Sequence, residues 1–459
     1  MEAKTRRIQV SCCSKTHPCP TCGKLGRRKE VLTRDVRSIA FREIVILEVT
    51  YAEYRARCGC CQTFRSSPPG VDPRCLYDNK VRDAVLDRLI EDAMSIPRIL
   101  VAMRRDFFLD LSQGFVYDCI ERRVAELDCA DYRRWTLEKF SGTLCIDERH
   151  LGRHTLLLAT DPIGDFPVAF ALVESNDAEH MQRFLANLKR HGFEPKVVVT
   201  DGSPLYPKLL AELWPQAEHQ LCVFHVLQDI NGQVLDAVKR LRRAMKRRGQ
   251  RGRKRGRGRP KKTARKRRRL TLEDQSYFVF KHRYLIVTKD ENLSEIQRAD
   301  LRTMCQYLPE LQTLRNFVNK VGRLFEVQQS AHQAYCRRAK LLSHAAFTAI
   351  PELAKALKIL EGDKFEKMIA FLRTSPAPGN AKSPQTRPPV IRTNNHVERT
   401  NRKLRFFEKS RYKWRRRRSI VRFLLLAFNS WRQTHATTAS HPSTPTANSK
   451  AHQPKRQAA

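Results

Sequence analysis

The stretch from 142 to 204 leaves few folds open. Gly142-Thr-Leu-Cys-Ile-Asp147-Glu148 is a short apolar run that ends in acid. A second apolar run covers 155–160, Asp161-Pro-Ile-Gly164 is a turn signal, and 166–173 is a third run. Then the period changes. Met181, Phe184, Leu185 and Leu188 recur on one helical face across 177–191. Lys196-Val-Val-Val-Thr-Asp201-Gly202 is a fourth strand ending in acid, and Ser203-Pro204 can cap a second helix. Strand-strand-strand-helix-strand-helix, with acids closing the first and fourth strands, is the order of a ribonuclease-H-like core. A single acid at a strand end is often only a turn residue, so the pair carries the reading.

A third carboxylate comes from far along the chain. In Arg392-Thr-Asn-Asn-His-Val-Glu398-Arg-Thr-Asn-Arg-Lys-Leu-Arg405, Asn394 is an N-cap candidate with a side-chain oxygen for orphan N–H groups. Val397 and Leu404 lie two turns apart and can face a core. Glu398 sits about 100° off that stripe, with Asn401, Arg402 and Arg405 on its side. No Gly or Pro follows until well past Trp431, so the helix can run long. The plain alternative is a solvated helix with a Glu–Arg pair at i,i+4.

Phosphodiester chemistry gives three such acids a purpose. In-line attack needs stabilised oxyanions, which two divalent ions about 3.5–4 Å apart supply. Mg²⁺ (or Mn²⁺) takes hard oxygen ligands and keeps several waters, so three carboxylates from separate elements suffice. Asp147 would bridge the ions, and Asp201 and Glu398 would each support one. A water or a DNA 3′-hydroxyl would be the nucleophile. Glu148 is the obvious rival, but successive strand residues point to opposite faces. Asp161 and Glu174 are weaker rivals.

Near the N-terminus, Cys19-Pro-Thr-Cys22-Gly and Cys58-Gly-Cys-Cys61 are two C-x-x-C knuckles joined by a spacer that alternates around 44–49, as a hairpin would. Cys19, Cys22, Cys58 and Cys61 fit one tetrahedral Zn²⁺, and Gly23 relaxes the backbone after the first knuckle. Cys60 could replace Cys58 or Cys61, and Cys12, Cys13 and His17 are close by. The alternative is a set of buried free cysteines. From 72 to about 131 the period is helical. Val81, Val85, Leu86 and Leu89 come first, then Ser95-Ile-Pro97, then Asp110-Leu-Ser112 opening a helix over about 113–127. Two short helices, a turn and a Ser-capped helix read as a helix-turn-helix whose last helix enters the major groove, or as a trihelical unit that binds no DNA.

Charge favours DNA. Lys and Arg number 88 against 47 Asp and Glu, a net +41 over 459 residues, which implies a polyanionic partner. No apolar run approaches 18 residues and no lipidation or signal-peptide pattern opens the chain, so a membrane partner is not expected. The 14 cysteines then belong in a reducing cytoplasm.

Between 233 and 391 lies a long insertion. Its basic part, 242–269, carries Arg255-Gly-Arg257-Gly-Arg259-Pro-Lys-Lys, which is similar to a minor-groove AT-hook; a nonspecific phosphate-binding linker is the alternative. Such a run is expected to be disordered without DNA. The part over 270–375 is helical, with Leu301, Met304, Leu308, Leu311, Leu314, Phe317, Val318 and Val321 recurring. A Pro-rich loop over 376–391 leads to Asn394. Beyond Glu398, Lys413, Arg415 and Arg416 interleave with Tyr412 and Trp414, which suits backbone tracking and base stacking. Residues 420–431 suit a buried helix, and 435–459 read as a disordered tail.

Taken together the paired C-x-x-C, the helical unit, Cys-Ile-Asp147-Glu, Val-Thr-Asp201-Gly and Thr-Asn-Asn-His-Val-Glu398-Arg-x-Asn-Arg-x-Leu resemble a bacterial insertion-sequence transposase of the zinc-finger-bearing DDE type, ISL-three. The resemblance spans nearly the whole chain apart from the basic insert and the tail. It implies a DDE triad at Asp147, Asp201 and Glu398, recognition of terminal inverted repeats in double-stranded DNA, and cut-and-paste movement by a homo-oligomer at the bacterial nucleoid. Leu221-Cys222-Val-Phe-His225 is similar to the C/D-x-x-H signature of several DDE groups, in which the His organises DNA rather than binding metal. A core cysteine and a satisfied histidine is the alternative. The chain therefore reads as a multidomain α/β protein: zinc-binding module (1–70), helix-turn-helix (71–138), ribonuclease-H-like mixed-sheet catalytic core (139–232 and 392–434) and the helical, basic insertion. Rival functions are a metal-dependent nuclease or integrase on the same fold, and an inactive transposase-derived repressor.

Overall fold

The computed structural model describes residues 4–251, 270–374, 390–410 and 416–440, with the side chains of 249–251 and 435–440 excepted. The architecture is mixed α/β, with two five-stranded sheets and many helices. The chain divides into two units. One is Met1–Thr136, His150–His154 and Asn401–Ala459; the other is Leu137–Arg149 and Thr155–Thr400.

The first unit opens with β1 (Lys4–Cys12), β2 (Thr16–Pro18), β3 (Leu25–Ala40), β4 (Glu43–Arg55) and β5 (Thr63–Arg65). Their order is β1-β4-β3-β2, with β5 beside β4. β3 and β4 form the hairpin expected from the alternation, turning at Arg42 (φ +56°), and Val45 and Val49 point inward. Arg27 pairs with Arg55 near its open end, which brings the loops at 19–22 and 58–61 together. Gly23 sits at φ +74°, in the left-handed region that a Cβ disfavours.

Three helices follow: α1 (Asn79–Ile90), α2 (Ile96–Phe107) and α3 (Gln113–Glu126). Asp78 caps α1 by accepting from Val81 N–H, and Ser112 caps α3 by accepting from Phe115 N–H, both at 3.1 Å. Ser95 precedes α2 but makes no side-chain cap; Pro97 presets the first turn instead. A fourth helix, α4 (Cys129–Glu138), carries too weak an apolar stripe to be read from the sequence.

The second unit is built on β6 (Thr143–Leu151), β7 (His154–Asp161), β8 (Phe166–Val173), β9 (Val197–Thr200) and β10 (Glu218–Leu221), in the order β8-β7-β6-β9-β10. β9 runs parallel to both β6 and β10. Parallel neighbours need crossovers, and α5 (Ala178–Arg190) and α6 (Tyr206–Leu213) supply them. On α5, Met181, Phe184, Leu185 and Leu188 are buried, as their spacing requires.

Next comes α7 (Val223–Arg251). Val226, Ile230, Val234, Ala237, Val238 and Met245 keep its stripe buried without a break. The border drawn at 232–233 therefore falls inside one helix, and 242–251 is helical rather than part of a disordered linker. Arg242 lies over the Phe280 ring at 4.6 Å. The helices α8 (Leu272–His282), α9 (Glu295–Tyr307), α10 (Glu310–Leu324), α11 (Ala331–Leu342), α12 (Ala345–Thr348), α13 (Pro351–Ile359), α14 (Lys364–Met368) and α15 (Phe371–Thr374) pack with α7 around one apolar core. Met304, Leu308, Leu311, Leu314, Phe317 and Val321 are all in it.

The helix α16 (Asn395–Ser410) begins in this unit. Its described part reaches Ser410, and the next described helix is α17 (Arg417–Ser440), so the long run that the absence of Gly and Pro allows falls partly outside the described residues. This last helix packs within the first unit. Arg422 pairs with Glu121 on α3, Arg432 with Asp131 on α4, and Phe428 meets Tyr132. Residues 417–434 thus belong with α1–α4, not with the sheet, because the apolar face of α17 is covered there. The helix also continues to Ser440, past the start assigned to the tail.

Candidate functional site

Register alone brings the first two acids together. Cys145 on β6 pairs with Val199 on the parallel β9. Asp147 lies two residues further along β6 and Asp201 one residue past the end of β9, about one strand spacing apart if the register is carried on. Ligand oxygens of Asp147, Glu148 and Asp201 all lie within 4.8 Å of one another. Asp201 Oδ1 accepts the Ser203 N–H at 2.9 Å, which orients the carboxylate at the end of β9.

Glu148 belongs to this group, contrary to the expectation that it faces away. Pleating fixes where its Cβ leaves the strand, not where a flexible side chain ends. The hydroxyl of Tyr206, a fully buried residue on α6, donates to Glu148 Oε2, and Asn176 Nδ2 donates to Oε1 at 3.1 Å. Burial and the nearby charges of Glu148, Asp201 and Asp147 push the Tyr206 hydroxyl well above its usual range, so it remains a donor. Of the other rivals, Asp161 is buried and spent on its own loop: it accepts from Ser141 N and Oγ, Ile163 N and Gly164 N. Glu174 is exposed.

Glu398 stands in the first turn of α16, grouped with Cys222 and His225 rather than with the three acids. Its Oε1 lies 3.6 Å from His225 Nε2 and is buried without a hydrogen-bond partner. Asn394 fixes the start of this helix. Its Nδ2 donates to the carbonyl of Ile146 at 2.8 Å, and its backbone N–H to Cys222 Sγ at 3.2 Å. The expected capping role fails, because Asn394 Oδ1 is buried and accepts nothing; the side chain is used to tie α16 to β6 beside Asp147. Val397 and Leu404 are fully buried, as their spacing requires. Hydrogen bonding to Cys222 is the largest cause holding His225 up at about 9; burial opposes it, and the charges of Cys222, Glu398 and Asp201 add to it. His225 is thus within electrostatic reach of both Asp201 and Glu398.

The donor chemistry fits metal. Asp147, Glu148 and Asp201 offer only hard oxygens, as Mg²⁺ requires. The cysteine loops offer sulfur: Cys19 lies 3.5 Å from Cys61 and 3.6 Å from Cys60, and Cys58 lies 3.9 Å from Cys61. Thiolates on one Zn²⁺ with bonds of about 2.3 Å stand roughly 3.8 Å apart. Backbone N–H groups of Cys22 and Thr21 lower the Cys19 thiol to about 6. Cys60 joins Cys19, Cys58 and Cys61 in the tightest group, and Cys22 reaches it through Cys60 at 3.4 Å. Five sulfurs thus converge where four suffice. Cys12, Cys13 and His17 fall outside that group.

Among the basic residues singled out from sequence, Arg402 and Arg405 on α16 and Arg416 before α17 are exposed. Arg257, Arg259, Lys413 and Arg415, with the rest of the AT-hook-like run and the loop before 390, lie outside the described residues. Among those described, no helix is long and apolar enough to cross a membrane.

A family profile described as a transposase, of the DDE ISL-three type, matches residues 144–378, just over half of the chain. The matched span holds Asp147, Asp201, Cys222 and His225 and stops before Glu398. No curated protein sequence matches. Among solved structures, the chain is similar to the Drosophila P element transposase strand transfer complex at 12% identity, covering 80% of this chain and 81% of that one. The TM-score is 0.27, too low to establish a common fold.

Proposed function

Because this chain belongs to the ISL-three family of DDE transposases and is the transposase of an insertion sequence, we propose that Asp147, Asp201 and Glu398 form its DDE triad. The observation that carries the reading is the register of β6 against β9, which sets Asp147 beside Asp201. The strand order β8-β7-β6-β9-β10, with both crossovers in place, supports a ribonuclease-H-like core. The tie from Asn394 to Ile146 supports delivery of Glu398 to the same end of β6.

In this reading Asp147, Asp201 and Glu398 hold two Mg²⁺ (or Mn²⁺), and Glu148 lends a further carboxylate. Bound Mg²⁺ supplies Lewis-acid stabilisation to the attacking and leaving oxygens. The chain's own contribution is to hold its carboxylates oriented: Ser203 N–H on Asp201, Tyr206 and Asn176 on Glu148, Asn394 at the root of α16. His225, held up at about 9, carries positive charge near neutral pH close to where DNA phosphate would come. One structural Zn²⁺ is held by Cys19, Cys58, Cys61 and either Cys22 or Cys60. The helices α1–α3 act as the helix-turn-helix that reads the terminal inverted repeats, and Arg402, Arg405 and Arg416 contact phosphate. A homo-oligomer pairs the two ends.

Purified protein, Mg²⁺ and DNA carrying the element's own ends test this. The expected outcome is strand cleavage at the ends followed by joining to target DNA. Hydrolysis at the ends without joining would favour a nuclease on the same fold, and binding without cleavage a repressor.

A further inference from the structure

Cys222, His225 and Glu398 differ in chemistry from the neighbouring acids. One ligand atom from each lies within 4.8 Å of the others. His225 Nε2 and Glu398 Oε1, at 3.6 Å, are too far apart for a hydrogen bond. That separation is close to the roughly 3.4 Å between two N or O ligands of one tetrahedral ion with bonds of about 2.0–2.1 Å. The Glu398 oxygen concerned is buried and accepts no hydrogen bond; only the charge of protonated His225 meets it, and a metal ion binding here would displace that proton and take its place as the compensating cation. Cys222 is almost fully buried, and its sulfur receives the Asn394 N–H at 3.2 Å. Such an outer donor orients a metal-bound thiolate and tunes its basicity. Sulfur, imidazole nitrogen and carboxylate oxygen with a fourth position open make a zinc-type donor set; magnesium disfavours the first two.

We propose that Cys222, His225 and Glu398 form a second Zn²⁺ site, distinct from the cysteine cluster, and that an ion bound there withdraws Glu398 and stops Mg²⁺-dependent DNA cleavage. The inhibitory half rests on the role given to Glu398 above; the binding half does not. Zinc at this position is thus an inhibitor that competes for a shared carboxylate, and the cysteine is what gives it an advantage over magnesium.

The test uses the full chain with its N-terminal zinc retained. Protein is dialysed against buffered free Zn²⁺ without DNA, and bound metal is measured by elemental analysis. Wild type should hold one zinc more than Cys222→Ser, and the same one more than His225→Gln. Ser is nearly isosteric, and His225 is only half-buried, so one of the two variants can decide if the other melts early. The Zn²⁺ concentration that halves end cleavage, relative to each protein's own rate before zinc is added, should rise at least about tenfold in Cys222→Ser. Equal zinc content in wild type and both variants would overturn the site, and unchanged zinc sensitivity would overturn the inhibition. Asp147→Asn should keep the extra zinc while losing cleavage. If that variant still cleaves, the triad fails and the zinc content still decides this site.

Discussion

Glu148 follows Asp147 on β6, yet their carboxylates meet beside Asp201. Alternation in the sequence rightly told the two apart as backbone positions. It could not show that Tyr206, nearly sixty residues on, would hold the second one at the site. The same limit hid the work of Asn394. Its type suited a cap, but its amide reaches a carbonyl on β6 that only the tertiary fold supplies. Asp147 and Asp201 were legible because each closes an apolar strand run, a pattern the backbone alone enforces. If Glu148 supports the metal ions, Glu148→Gln should raise the Mg²⁺ concentration giving half-maximal cleavage by about tenfold, roughly 1.4 kcal/mol, with less effect at saturating metal. A Mg²⁺ titration of the initial rate checks this; an unchanged half-saturation would leave Glu148 a structural partner of Tyr206.

Among the elements, strands and long helices were legible where period and length agreed, as in α5, β3 and β4. The helix α12 was not, since a single turn carries no period, and α4 was not, since its apolar stripe is weak. The cysteine loops show the boundary well. Spacing identified the knuckles, but Cys60 competes because it too lies in the second loop, and only geometry reveals five sulfurs in reach. β10 offers a test of packing. His219 is partly buried there, its Nε2 paired with Thr200 Oγ1 at 2.8 Å. Burial first, then the charge of Lys367, lowers it from 6.5 to about 4. The unfolded chain therefore takes up this proton first. Stability is full above about 6.5, falls as pH drops, and stops changing from this source near 4, a loss on the order of 2–3 kcal/mol. Urea unfolding across that range should show the loss in wild type and a flatter profile in His219→Gln.

For the whole molecule, composition was the most direct guide to partner and the poorest guide to layout. A net +41 on 459 residues points to nucleic acid whatever the fold. The borders drawn at 232 and 434 each fall within a helix, because a helix can continue through a change in composition, as α7 and α17 do. If the basic segments contact phosphate, binding of the element's ends should fall with log K losing about 0.9 per phosphate neutralised for each decade of salt. Six such contacts would cost roughly a thousandfold between about 50 and 200 mM, readable by fluorescence anisotropy; a flat response would remove them as contacts. The claim on which everything else depends is that acids from β6, β9 and α16 work together on DNA. Its most direct test is the rate of Mg²⁺-dependent nicking at the element's own end by Asp201→Asn, with DNA binding and melting temperature measured alongside. A fall of at least about a thousandfold, some 4 kcal/mol of barrier, with binding and folding intact is the predicted result. Nicking at the wild-type rate would contradict it.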